Sequence, residues 1–188
     1  SNLSLSTGDF TIEFWVYPNN LSSTQIVTDL RKGGGGNDVV VFLDSSSKVN
    51  LHADSSTRIT SSSSISASQW THISVVRSSG TTTLYLGGTA DSTTYSDSNN
   101  YGGTAVTLGK YFNGDQFELN GYISNYREVK GTAVYTSNFT PPTSPLTAIT
   151  NTQLLTCQEN TGTITDSSSN NFTMTVVGNT AANALNPF

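Results

Sequence analysis

Hydrophobic and polar positions alternate with a period of two along most of this chain. Residues 10–17 are the clearest case: Phe10, Ile12, Phe14 and Val16 fall on one side, Thr11, Glu13, Trp15 and Tyr17 on the other. That alternation places one row in a core and leaves the other on an exposed or partly covered face. Glu13, sitting among the polar row, is expected to face solvent or the outer side of a sheet. Pro18-Asn19-Asn20 ends the run, because proline has no N–H to give a ladder. The same signature predicts strands over residues 25–30, 38–43, 49–53, 70–77, 82–86, 106–110, 121–128, 153–158 and 172–177. Each is short, rich in Val, Ile, Thr or aromatics, and bounded by Gly, Asn, Asp or Ser. No window of helical length carries a 3.6-residue apolar stripe, so the chain reads as all-β. Closely spaced strands joined by turns imply antiparallel sheets, packed face to face or closed into a barrel.

The intervening stretches read as connections. Gly33-Gly34-Gly35-Gly36-Asn37-Asp38 suits a hairpin loop, and Ser61 to Ser64 a polar edge or turn. Residues 89–103 show no clear pattern and read as a long loop. Thr140-Pro141-Pro142-Thr143-Ser144-Pro145 reads as an extended crossing segment, since proline excludes helix. Strand patterns continue beyond it, so residues 1–188 read as one sandwich domain. The chain starts at Ser1 and reads as processed or as a segment of something longer.

Composition sharpens the picture. Charged residues are only 11% of the 188, and polarity comes instead from 28 Ser, 29 Thr and 18 Asn. Disorder usually couples low hydrophobicity to high charge; this chain lacks the charge and carries 18 aromatic residues for a core. Its net charge is -5 and its eight bases are scattered, which argues against nucleic acid as a partner. No apolar stretch approaches the ~20 residues of a membrane helix, so membrane insertion is not expected. Cys157 is the single cysteine, which excludes an internal disulfide and a cysteine-based zinc site; it reads as a small buried hydrophobe in a strand.

Three stretches together resemble the laminin G-like branch of the concanavalin A-like lectin/glucanase superfamily. They are Asp9-Phe10-Thr11-Ile12-Glu13-Phe14-Trp15-Val16-Tyr17-Pro18, then Gln69-Trp70-Thr71-His72-Ile73-Ser74-Val75-Val76-Arg77 with Leu84-Tyr85-Leu86-Gly87-Gly88, and finally Leu119-Asn120-Gly121-Tyr122-Ile123-Ser124-Asn125-Tyr126-Arg127. The resemblance implies an antiparallel two-sheet jelly-roll sandwich. Residues 131–142, 154–158 and 166–170 extend it, being similar to laminin G-like domains in structural proteins of tailed, particularly marine, bacteriophages. What this implies is a non-enzymatic virion structural and adhesion protein, of capsid-decoration or tail-fibre type, exposed on the virion surface and so extracellular. Its implied partners are other virion subunits, including copies of itself, and a host-surface glycan. The alternative is a secreted bacterial adhesin or extracellular filament subunit with carbohydrate-binding capacity.

Catalysis is not expected. Hydrolases of the superfamily show E-x-D-x-x-E, and Glu13, Glu118, Glu128 and Glu159 do not fall in that pattern. Asp115 and Glu118 are three apart, which puts them on opposite faces of a regular strand, whereas retaining hydrolysis needs a close carboxyl pair. His52 and His72 lack the spacing of a transition-metal site; His72, sharing a face with Trp70 and Ser74, reads as a structural imidazole hydrogen-bonded beside a tryptophan. The resemblance makes Ca²⁺ the candidate cofactor, held at a sandwich rim through oxygen ligands. Asn113, Asp115 and Glu118 are the candidate ligands, and Asn37-Asp38 has similar chemistry; tight-turn chemistry is the alternative reading of the same residues. For a glycan, Tyr95, Asn99, Tyr101, Tyr111 and Asn113 are the candidate binding residues, as stacking platforms ringed by amides; Asn100 and Asp115 lie beside them.

Overall fold

The computed structural model describes residues 3–33 and 38–188. Eleven strands are found there: β1 (Phe10–Pro18), β2 (Gln25–Asp29), β3 (Val40–Leu43), β4 (Lys48–Ala53), β5 (Ser56–Ser64), β6 (Thr71–Ser78), β7 (Thr81–Leu86), β8 (Thr89–Ser96), β9 (Thr107–Leu108), β10 (Gly121–Lys130) and β11 (Thr152–Thr156). They form two antiparallel sheets, one of six strands in the order β11-β10-β1-β6-β7-β8 and one of five in the order β5-β4-β3-β2-β9. Among the described residues no segment is helical, and none is a helix long and apolar enough to cross a membrane. The expected all-β sandwich is what the chain forms.

The row Phe10, Ile12, Phe14 and Val16 is fully buried between the sheets, against Val41, Leu43, Val49 and Leu51 of the opposite layer. Each such side chain contributes about 1.5–3 kcal/mol by leaving water. A bulge adjusts the pattern in β10. Glu13 pairs with Arg127 but Trp15 pairs with Ser124, so two residues, Asn125 and Tyr126, oppose Phe14. Asn125 takes up the extra length with φ of 53°, and Tyr126 is thereby turned into the core, stacked 5.9 Å from Phe14. Its hydroxyl shares a 3.1 Å hydrogen bond with Thr28 of the other sheet.

Several expectations need correcting. Residues 89–96 are an edge strand rather than loop, and residues 56–64 form a full strand at the other sheet's edge. Both are hydroxyl-rich, which hides the apolar alternation that marks interior strands and also discourages edge-to-edge pairing. Residues 172–177 form no strand. Cys157 lies just past β11, half-buried, on a left-handed backbone (φ 60°). The hairpin loop expected at residues 33–38 falls largely outside the described residues.

Glu13 is the instructive case. It is completely buried, because residues 131–151 cross the outer face of the six-stranded sheet and cover it. Thr11 Oγ1 donates to the Thr132 carbonyl and accepts from Val134 N. Phe139 stacks on Tyr135 and packs on His72 and Tyr85. At the β7–β8 turn, Gly87 and Gly88 both have positive φ, and a Cβ on Gly88 would collide with the Phe139 carbonyl, so glycine is required there. Beneath this cover His72 meets Glu13 at 3.2 Å and packs 5.2 Å from Trp15. The expected structural histidine thus has Trp15, not Trp70, as its tryptophan.

Candidate functional site

The residues expected to bind ligand separate into two groups. Tyr95, Asn99 and Tyr101 belong to an internal knot around Arg77. The Arg77 guanidinium lies between the rings of Phe10 and Tyr101, 4.9 and 5.0 Å from their centroids. It donates to the carbonyls of Ser6, Gly8 and Asn99 and reaches Asp97 at 3.4 Å. Asp97 also accepts from Thr82, Tyr101 and Asn99. Tyr101 is 1% exposed, so it is a core residue and offers no face to a sugar. Asn99 spends its amide on Tyr95 and Asp97. Tyr95 carries Arg58 over its ring at 4.9 Å and, with the Ser62–Asp91 hydrogen bonds, joins β8 to β5 where the two sheets meet. These side chains hold the loop; they do not present it. Asn100 is exposed.

Tyr111, Asn113, Asp115 and Glu118 do come together, on the loop of residues 109–120. Backbone bonds fasten that loop to β2, Gly109 N donating to Val27 O and Ile26 N to Phe117 O, and Leu119 N to Gly109 O closes the loop on itself. Asn120 N donates to Gln25 Oε1 at 2.8 Å. The loop is therefore a rigid extension of the five-stranded sheet. Asn113, Asp115 and Glu118 are exposed on it. Asp115 is ion-paired with Lys110, whose ammonium holds its carboxyl below the usual range. Among the described residues no three His, Cys, Asp or Glu side chains converge. Asp38 is buried: one oxygen accepts from Gly103 N, and burial raises its carboxyl. Asn37 lies outside the described residues.

The same loop separates two concavities. On one side it borders the outer face of the five-stranded sheet, where register aligns Ile26, Phe42, Asn50 and Thr60 in one row and Asp29, Val40 and His52 in the next. A shallow depression of about 140 Å³ lies here, lined by Thr24, Ile26, Arg31, Val40, Phe42, His52 and Phe117. Phe117 is 49% exposed and sits at φ 54°, a left-handed conformation that costs an L-residue roughly 1–2 kcal/mol. Its carbonyl is held there by Ile26 N. Next to it, the Arg31 guanidinium pairs with Asp29 through Nε and Nη2 and lies over Tyr111 and Phe112, 5.0 and 5.4 Å from their centroids. Burial, then the charges of Arg31 and Arg58, lower the His52 pKa despite Asp29, so the imidazole is neutral at pH 7. The arrangement is an aromatic and aliphatic floor with a few fixed polar groups at its border. Phe42, His52 and Phe117 were not among the expected site residues. The outward row of two adjacent strands was the available signal for the first two, and an isolated Phe in a polar loop for the third.

On the other side of the loop is a cleft of about 600 Å³. Leu108, Leu119 and Ile123, all packed on the core, form the apolar part of its near wall, and Ile164, Val177 and Leu185 add apolar side chains opposite. Its far wall is built by residues 157–164 and 177–186. Cys157 makes this wall by turning the chain out of β11, with its carbonyl bound to Asn125 N. Burial pushes its thiol up to about 12, so it is a neutral wall residue and no nucleophile.

Comparison with solved structures places the fold. A Bacteroides ovatus protein assigned a carbohydrate-binding role superposes with a TM-score of 0.67 at 12% identity over 86% of this chain; the chain spans 50% of that protein's length. The heptameric SAP-like pentraxin of Limulus polyphemus gives 0.56 at 19% identity, over 70% of this chain and 67% of the pentraxin. The CBM40 of the Ruminococcus gnavus IT-sialidase, bound to α2,3-sialyllactose, gives 0.57 at 12% identity, over 70% and 80%. At such identities the likeness is one of fold. A search of curated protein sequences finds no match. Residues 1–132 match the sequence profile of Laminin_G_3. With that match covering most of the sandwich, the chain belongs to the concanavalin A-like lectin/glucanases superfamily.

Proposed function

We propose that this chain is a non-catalytic glycan-binding module, whose sugar platform is the depression formed by Phe117, Phe42, Val40 and His52 on the five-stranded sheet. The single observation that carries the reading is Phe117: a half-exposed aromatic held in a strained backbone by a sheet hydrogen bond. Strain is retained where surrounding structure over-determines it, and such residues gather at binding sites. An exposed aromatic face takes the apolar face of a pyranose, while Arg31 and His52 at the border of the depression fix its hydroxyls. Carbohydrate binding by relatives of the same fold supports the reading. The carboxylates support the absence of catalysis. Glu13 is committed to Arg127 and Tyr135, Glu128 is fully buried, and Glu159 accepts from Gln158 and Thr165.

A virion-surface setting, as capsid decoration or tail fibre, rests on the likeness of residues 131–142, 154–158 and 166–170 to phage structural proteins. It predicts that the chain is found by mass spectrometry in purified particles; finding it only in a bacterial secretome favours the adhesin reading. The glycan reading is tested by an array of host-envelope polysaccharides probed with the wild-type chain and Phe117→Ala. Retention of a polysaccharide by the wild type, weakened about tenfold in the variant, is the expected result. Equal binding by both, or none by either, overturns it.

A further inference from the structure

The 600 Å³ cleft beyond the 109–120 loop is not explained by the platform, and its volume lies within the range of small-ligand sites. More than half of its wall comes from residues 157–186, which lie outside the family-matched segment 1–132. Two of its walls are preformed: the loop fastened to β2, and the start of β10, where a Cβ on Gly121 would run into the Tyr17 carbonyl. The third is different. Among the described residues, no hydrogen bond ties residues 173–188 to the rest of the chain; those they make, such as Leu185 N to Asn183 and Phe188 N to Asn186, are internal. Apolar contacts alone hold them, including Met174 against the core and Phe188 against Trp15 at 6.0 Å. That wall can adjust to a ligand without breaking hydrogen bonds.

The lining decides what such a ligand is. Gln158, Asn160, Asn179, Asn183 and Asn186 line the cleft; Gln158, Asn183 and Asn186 spend part of their amides on the chain itself, while the Asn160 and Asn179 amides make no hydrogen bond among the described residues, so their donors and acceptors remain for a ligand of many hydroxyls. The fixed charges are Asp115, Glu118 and Glu159 against Lys110. Lys110 is paired with Asp115, and Glu159 accepts only from the uncharged groups of Thr165 and Gln158, so Glu118, which is exposed, and Glu159 both carry negative charge with no ion-pair partner among the described residues. An anionic ligand would face that uncompensated charge. We infer that this cleft is a second binding site, distinct from the Phe117 platform, that takes an uncharged polyhydroxylated ligand and rejects anionic sugars.

The test is a titration of the full ¹⁵N-labelled chain, followed through backbone amides, with lactose, cellobiose, maltose and N,N′-diacetylchitobiose, and with α2,3-sialyllactose as the anionic counterpart of lactose. At least one neutral disaccharide is expected to shift the amides of Leu119, Asn160 and Asn183 at millimolar concentration, in the wild type and equally in Phe117→Ala. Sialyllactose is expected to shift them in neither. Glu118→Gln should change the affinity for the neutral sugar by less than about threefold, while Glu118→Lys should admit sialyllactose, a gain of about fivefold or more. The inference is overturned if no neutral probe shifts these amides, if sialyllactose shifts them as strongly as lactose, or if Phe117→Ala abolishes the shifts. Because Phe117→Ala silences only the platform, failure at the cleft and failure of the platform reading are distinguishable.

Discussion

Glu13 and Arg127 stand opposite one another in the β1–β10 ladder, and Glu13 Oε1 accepts from Arg127 Nε at 2.9 Å and Nη2 at 2.5 Å, out of contact with water. The other carboxylate oxygen accepts from the Tyr135 hydroxyl at 2.8 Å and meets His72. Arg127 also donates to the Thr147 carbonyl. The pair is thus laid down by the strands of the family-matched segment and sealed by residues that follow it. Burial raises the Glu13 carboxyl, but the His72 hydrogen bond and the Arg127 charge outweigh it and hold the group below its ordinary value.

Breaking this pair should be costly. Arg127→Met leaves a buried carboxylate without its cation and is expected to destabilise the fold by about 3–5 kcal/mol, read from urea unfolding at pH 7. Tyr135→Phe removes one hydrogen bond to a charged acceptor and should cost about 1.5–3 kcal/mol. Glu13 also sets an acid limit. With its folded value depressed, its contribution is present above the unfolded value near 4.5 and is lost as pH falls through the folded value.

Glu128 acts in the opposite sense. It shares the core side of β10 with Tyr126, is fully buried, and neither oxygen has a hydrogen-bond partner among the described residues. Burial, opposed only weakly by Lys130, pushes its carboxyl up to about 8. The folded state therefore keeps a proton that the unfolded state releases near 4.5. Its contribution is complete below pH 4.5 and is lost between there and pH 8. Glu128→Gln, which is neutral at every pH, should stabilise the protein by roughly 3–5 kcal/mol at pH 9 and by little at pH 4.5. Unfolding midpoints of both chains across this range check it; parallel profiles would contradict the assignment.

The sandwich was legible in the sequence because its central strand carries a clean apolar row, and the row Phe10 to Val16 is what the two sheets close over. The polar row opposite was misread at Glu13. Alternation says which side a residue faces but not whether distant chain, here residues 131–151, lies over that side. The two edge strands were blurred by hydroxyls, whose strand signal is weak without a core contact. The rim loop 109–120 was found from its Asn-Gly and acidic residues, but its neighbours Phe42 and His52 arrive through cross-strand register, which no local window contains. Tyr101 looked available because loop tyrosines often are; Arg77 and Asp97, distant in sequence from one another, draw it inside.

The Arg77 knot gives a further expectation. Lysine cannot reproduce the fork that reaches three carbonyls and Asp97 while lying between two rings. Arg77→Lys should therefore lower stability by about 2–4 kcal/mol, and hydrogen exchange should show faster exchange for residues 97–103 than for β10. Uniform acceleration across both would mean that the knot stabilises the whole sandwich and not this loop.

Phe117 allows the cost of its backbone to be separated from the work of its ring. The left-handed conformation is imposed by the Ile26 N to Phe117 O bond, which any residue can make. Phe117→Gly should keep that bond and remove the steric penalty, while Phe117→Ala keeps most of the penalty. Since the ring is half-exposed, its loss costs little burial in either variant. The glycine variant should therefore be about 1 kcal/mol more stable than the alanine variant, as measured by chemical denaturation. Both should lose polysaccharide retention to the same extent, because both lack the ring. A glycine variant that is more stable yet still retains polysaccharide would show that the strained residue serves the loop alone, and would move the sugar platform elsewhere on the sheet.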